Sequence, residues 1–278
     1  MDEREKIIEK RLTRFKKNKY LQDYDFDKPL SAEEHYQEII TILEGRAKQV
    51  RQQYVSKVFY GTSVSQNGFI DAIIILSAGI NLTREIFTIY NGRVSNKDML
   101  RIGRKIYTAM AIGGSEGVEY ATDEIITSFA YDGIKSIPFI DKIMGSLADG
   151  FVSSMLITRI SFIAENYCKI IYLPNDRALV PPQKVIYDTT NSITSDVRQR
   201  IKMVLRNLSA DKSDVYTKLA VNPAAYVIKT AINKFGKQLD SRTKSSVSGA
   251  LRMASHPVGF VMDKVITRFR KKKSMMPQ

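Results

Sequence analysis

Apolar residues recur at three- and four-residue steps along most of the chain, and strict alternation with β-branched residues is confined to short runs, so the pattern predicts an all-α fold. In residues 1–20, Ile7, Ile8, Leu12 and Phe15 lie among many charges, the signature of a basic amphipathic helix. An acidic, proline-containing stretch over 23–30 then breaks the periodicity. Ser31 followed three residues later by Glu34 forms a capping box. The serine oxygen accepts from an orphan backbone N–H and the glutamate reaches back, which predicts a helix from there to about Tyr60.

Two apolar helices follow. Asn67 is placed to cap a helix through FIDAIIILSAGINLTREIFTIY to Tyr90, with Asn91-Gly92 as a left-handed stop. A further start at Ser95 and Asp98 leads to the pair Gly113-Gly114, and another at Ser115 carries Glu116, Glu119, Asp123 and Glu124 near its positive dipole end. Pro138 opens the second apolar helix, which ends near Pro174. Pro181-Pro182 lie in a polar linker, and shorter helices begin near Ser195, Ser213, Pro223 and Pro257, because proline fits a first helical turn and not an interior. The organisation expected is charged N-terminal helices over 1–60, an apolar helical core over 61–175, a linker over 176–194 and a basic helical region over 195–278.

A helix that crosses a bilayer needs about 20 mostly apolar residues. In the first apolar segment Asp71 stands at the entrance and Arg84-Glu85 close the far side, leaving only 72–83 uninterrupted. The second, 145–164, is long enough but contains Asp149 and Arg159, each costing about 2.5–3.5 kcal/mol at mid-membrane. Three arrangements satisfy these segments: buried core helices, which the flanking charges favour, a true span or re-entrant hairpin, and insertion only against a partner. In a packed core the three ionisable residues Asp71, Asp149 and Arg159 point to an Asp–Arg bridge, with a proton or ion relay as the alternative.

Charge sharpens the picture of partners. The chain carries a formal net charge of +14, and residues 201–278 hold 16 basic side chains against 4 acidic ones, with no glutamate. Such a tail attracts polyanions, either an anionic membrane surface or nucleic acid. Its densest cluster, Lys264, Arg268, Arg270, Lys271, Lys272 and Lys273, is the candidate surface-binding patch. Hydrophobic residues make up 44% of the chain, near the globular average, which argues against a dense bundle of membrane spans. With one cysteine, no intrachain disulfide forms, and the absence of a signal-like start makes a cytosol-facing protein the default expectation.

Catalytic chemistry finds no support in the motifs. There is no G-x-x-x-x-G-K-[ST] loop and no H-E-x-x-H, and two histidines, His35 and His256, with a single cysteine do not assemble a zinc site of usual make-up. The GGSEG run at 113–117 precedes a helix, but Glu116 and Glu119 would repel phosphate. Cys168 sits on an apolar helix, where a free cysteine acts as a small hydrophobe. No enzyme activity and no cofactor are expected.

Three ordered blocks, FIDAIIILSAGINLTREIFTIYNG, MAIGGSEGVEYATDE and DGFVSSMLITRISFIAENYC, resemble those of the YcjF-like bacterial inner-membrane proteins, the family of the domain of unknown function 697. The resemblance covers about residues 65–173 and rests on Asp71, Asn81-Leu82, Tyr90 and Gly92, Gly114-Ser115-Glu116, Thr158-Arg159 and Cys168. It implies a membrane protein on the cytoplasmic face of the inner membrane. Similar domains stand beside or fused to GTP-binding domains, so it also implies a GTPase as partner and an adaptor role. Charged helices stand here where the longer members carry two hydrophobic N-terminal spans. Nucleic-acid binding through the basic tail is the alternative function.

Overall fold

The computed structural model describes residues 3–65, 68–91, 103–104, 126–129, 135, 137–171, 175–210 and 222–235. Among them the regular elements are all helical: α1 (Glu3–Phe15), α2 (Ala32–Val64), α3 (Gly68–Asn91), α4 (Ile140–Lys169), a 3-10 turn (Asp176–Leu179), α5 (Gln183–Ala210) and α6 (Pro223–Phe235). The all-α expectation is met.

Helix α1 buries Ile8 and Phe15, seven residues apart and so on one face, and keeps its charges outward. Phe15 stacks on Tyr36 of α2 with ring centroids 6.2 Å apart. The capping box opens α2 as the sequence predicts. The Glu34 amide donates to Ser31 Oγ at 3.3 Å, and the Ser31 amide donates to Glu34 Oε2 at 2.8 Å.

Packing centres on α2, α3 and α4. Ser154 of α4 donates to the Val55 carbonyl of α2 at 3.3 Å, while Lys169, further along α4, donates to Glu44, nearer the start of α2. Those two helices are therefore antiparallel. Against α3, a side chain added at Gly79 would meet Ile160 at 3.2 Å, and Asn91 lies by Cys168 Sγ at 3.8 Å. Both residue numbers rise together, so α3 and α4 run parallel. The two apolar helices are consequently not the limbs of one hairpin.

One apolar cluster joins α1, α2, α3 and the C-terminal half of α4, through residues such as Leu43, Ile86 and Ile163. A second joins the end of α2 to the first half of α4, α5 and α6, through Phe59, Phe151, Ile201 and Val227. Because α2 and α4 run through both, residues 32–60 belong to the core rather than to a separate charged region.

Two further expectations change. The stretch read as a linker, 176–194, holds the 3-10 turn and twelve residues of α5, and Leu179 is fully buried. Ser195 lies inside α5 rather than at its start. The proline pair sits just before the first turn of α5, where missing amides cost nothing, so it starts a helix instead of separating two regions. Pro223 begins α6 as predicted, with Asn222 Oδ1 accepting from the Ala225 amide at 2.9 Å. The predicted helix starts at Ser95, Ser115, Ser213 and Pro257 and the GGSEG run lie outside the described residues.

Candidate functional site

Helix α3 has two faces with different chemistry. Ala78, Leu82, Ile86 and Ile89 recur at helical spacing and are buried against α2 and α4. On the opposite side Phe69, Leu76 and Ile80 are 74%, 65% and 48% exposed, an apolar stripe that turns to solvent. By contrast 78% of the most apolar stretch of α4 is buried inside the protein. Length and composition allow either helix to cross a bilayer, but only α3 leaves a broad apolar face uncovered.

The stripe runs about 17 Å from Phe69 to Ile80 at 1.5 Å per residue, roughly half of the ~30 Å hydrocarbon layer. Arg84, exposed one turn beyond Ile80, ends it with a cation. Aromatic and aliphatic side chains thus face outward along the stripe, and a basic one closes it.

The predicted charge cluster is arranged differently from the expected bridge. Asp71, in the first turn of α3, hydrogen-bonds Ser65 and lies near Asp149 of α4. Burial raises the Asp71 pKa, the Ser65 hydrogen bond partly opposes this, and the like charge of Asp149 adds to the rise. Its Oδ1 is buried without a hydrogen-bond partner among the described residues. Arg159 is buried ten residues beyond Asp149, about 15 Å along the axis of α4, so the fold joins the two aspartates and sets the arginine apart from them. Periodicity alone does not tell which turn of one helix faces which turn of another.

A second ionic group, absent from the sequence expectations, ties α2 to α4. Arg51 pairs with Glu165, donates from Nε to Ser161 Oγ at 2.8 Å, and stacks over the Phe162 ring at 3.8 Å. Lys169 continues the chain, 3.3 Å from Glu165 and 2.7 Å from Glu44. Burial pulls the Arg51 pKa down while Glu165 resists that pull. For Lys169 burial acts the same way, but the two carboxylates outweigh it and leave the ammonium above its ordinary value. The signal available in the sequence was the polar rhythm of Ser161, Glu165 and Lys169 at four-residue steps along α4.

Cys168 is buried, and burial pushes its thiol far above the ordinary range, the opposite of what a nucleophile needs. Among the described residues no group of three or more His, Cys, Asp or Glu is placed to hold a metal ion. The basic patch Lys264, Arg268, Arg270, Lys271, Lys272 and Lys273 lies outside the described residues.

The family described as a domain of unknown function, DUF697, matches residues 30–194, from the capping box before α2 into the first half of α5. The chain belongs to the DUF697 family. Relatives of this DUF697 chain include a UPF0283 membrane protein of Bradyrhizobium diazoefficiens, 25% identical over 53% of this chain and 40% of the relative. Similar proteins from Rhizobium leguminosarum and Rhizobium rhizogenes, also UPF0283 membrane proteins, are 24% and 28% identical over 48% and 39% of this chain. The matches span 40%, 34% and 28% of those relatives' own lengths, so much of each has no counterpart in the alignment. No solved structure matches the chain. The bacterial membrane-protein family that the three sequence blocks resemble is thus the one matched, and its DUF697 region begins at the helix that the capping box opens, about thirty residues before the core boundary read from the sequence.

Proposed function

We propose that this DUF697 chain is a non-catalytic, membrane-associated helical adaptor that docks on the cytoplasmic face of the inner membrane and presents its remaining surface to a GTPase. The exposed stripe Phe69, Leu76 and Ile80 on α3 carries the membrane half of this reading. An apolar face of this kind costs about 25 cal/mol per Å² in water and is relieved when lipid covers it. The names of the relatives as membrane proteins, and the strong positive charge of the whole chain, support an anionic bilayer as the cover. The partner half rests on the resemblance to domains that stand beside GTP-binding ones.

The chain contains no tryptophan, so Phe69→Trp introduces a single reporter into the stripe. Its emission is expected to shift to the blue on anionic vesicles, and Leu76→Lys with Ile80→Lys should abolish flotation with them. A well-folded wild type that stays with the soluble fraction at low salt overturns the membrane half. Cross-linking in native membranes that recovers no GTP-binding protein overturns the partner half.

A further inference from the structure

The C-terminal ends of α1, α3 and α4 meet around a cavity of about 650 Å³, within the range of small-molecule sites. Arg11, Arg14, Lys17 and Lys19 line it, with Tyr90 and Cys168 contributed by the ends of α3 and α4. No carboxylate is among the described residues that line it. Three helix C-termini supply partial negative charge, each equivalent to roughly half an elementary charge, so some cations here serve the helices themselves. That need is already met at two of them. Arg11 donates to the carbonyls of Cys168, Lys169 and Ile170 at 3.0, 3.2 and 2.7 Å, closing the end of α4. Asn18 Nδ2 donates to the Ile89 carbonyl at 2.6 Å and closes the end of α3.

Arg14, in the last turn of α1, also complements that helix's own C-terminus, and Lys17 and Lys19 lie just beyond it; all three are exposed at the cavity. Lys19 Nζ lies 4.8 Å over the Tyr20 ring, a contact that leaves its charge in place. Tyr90, 2% exposed, contributes to the cavity wall, while its buried hydroxyl lies in the field of Glu165, Glu44 and Arg51 in the core.

We infer that this cavity binds a phosphate monoester or diphosphate group, held by Arg14, Lys17 and Lys19. Three cations around one space match a ligand with two or more negative charges better than a single carboxylate, and arginine and lysine are the usual partners of phosphate oxygens. The group has two possible sources: a soluble phosphate ester, or the headgroup of a lipid such as phosphatidic acid.

The test is calorimetric titration of the whole chain with inorganic pyrophosphate and with glycerol 1-phosphate, alongside vesicles of phosphatidylcholine doped with phosphatidic acid or with charge-matched phosphatidylglycerol. Binding of a soluble probe identifies a free ester as the source. Preference for phosphatidic acid over phosphatidylglycerol identifies a headgroup. In either case Arg14→Glu with Lys17→Glu should weaken binding ~tenfold or more. Arg46→Glu with Lys48→Glu, the same charge change on an exposed part of α2, should change it little. If the glutamate pair does not fold, Arg14→Gln with Lys17→Gln takes its place. No binding of any probe overturns the inference, as do equal losses in the cavity and control variants, which would mean general charge attraction. The stripe variant Leu76→Lys leaves the soluble titrations untouched, so failure of membrane docking is separable from failure of this site.

Discussion

Arg51 on α2 and Glu165 on α4 stand 114 residues apart in the chain and form an ion pair whose members are 6% and 4% exposed. Glu165 also contacts Lys169, so the two partners are not equivalent. Removing Glu165 leaves Arg51 charged and buried without its ion-pair partner, held by Ser161, the Phe162 ring and the field of Glu44, a situation that typically costs about 3–5 kcal/mol. Removing Arg51 leaves Glu165 still paired. Glu165→Ala is therefore expected to lower stability by about 3–5 kcal/mol, clearly more than Arg51→Met does. The double variant Arg51→Met with Glu165→Leu should recover much of the loss. Urea unfolding followed by circular dichroism measures all three, and equal costs for the two single variants would sink this account.

Gly150 marks a close approach of α4 to α2. A Cβ there would collide with the Ser63 hydroxyl and lie 2.9 Å from the Phe59 carbonyl oxygen, which is backbone and cannot swing aside. Gly150→Ala should cost about 1–3 kcal/mol by overpacking. Gly145, five residues earlier on the same helix, has nothing within 4 Å of the added carbon. Gly145→Ala should instead stabilise by about 0.5–1 kcal/mol, because it removes only chain entropy from a helix interior. Thermal melts of the two variants should move in opposite directions.

Burial and Asp149 raise the Asp71 pKa above that of the unfolded chain. The sign follows from linkage. A carboxyl that holds its proton more tightly when folded costs nothing below its unfolded pKa, and the cost grows as pH rises towards and through the folded value. The penalty is therefore larger at neutral pH than in acid. Asp71→Asn is expected to raise the melting temperature at pH 7, with the gain shrinking towards pH 3–4, near the ordinary carboxylate value. A gain that is largest in acid contradicts the assignment.

Cys168 should be inert to iodoacetamide in the folded chain at pH 8 and react promptly once the chain is unfolded in guanidinium, since burial blocks access and disfavours its thiolate. Mass spectrometry of the alkylated product distinguishes the two states. Fast labelling of the native chain would show an accessible, activated thiol and reopen a chemical role for this residue.

What was legible in the sequence is what short-range physics decides. Ser31 and Glu34 cap α2 because both partners lie within one turn, and Pro223 starts α6 because its ring suits only a first turn. The apolar runs of α3 and α4 were equally plain. Where local signals compete, the reading failed: Pro181-Pro182 and polar neighbours look like a linker, yet α5 begins there and buries Ile186, Thr190 and Ile201 against the rest of the domain. Thr190 Oγ1 donates to Thr158 Oγ1 at 2.9 Å, a contact no local pattern foretells.

The sequence by itself determined the helical class, the family and the apolar character of two helices, because periodicity and capping act within a few residues of chain. Only the tertiary structure decided which charges meet, which face of α3 stays outside and where three helix ends enclose a cationic cavity. Those outcomes depend on the direction and register of helices distant in the chain. Parallel α3 and α4 bring Asp71 beside Asp149 at one end and Asn91 beside Cys168 at the other, whereas an antiparallel pair with the same sequences would have exchanged those partners.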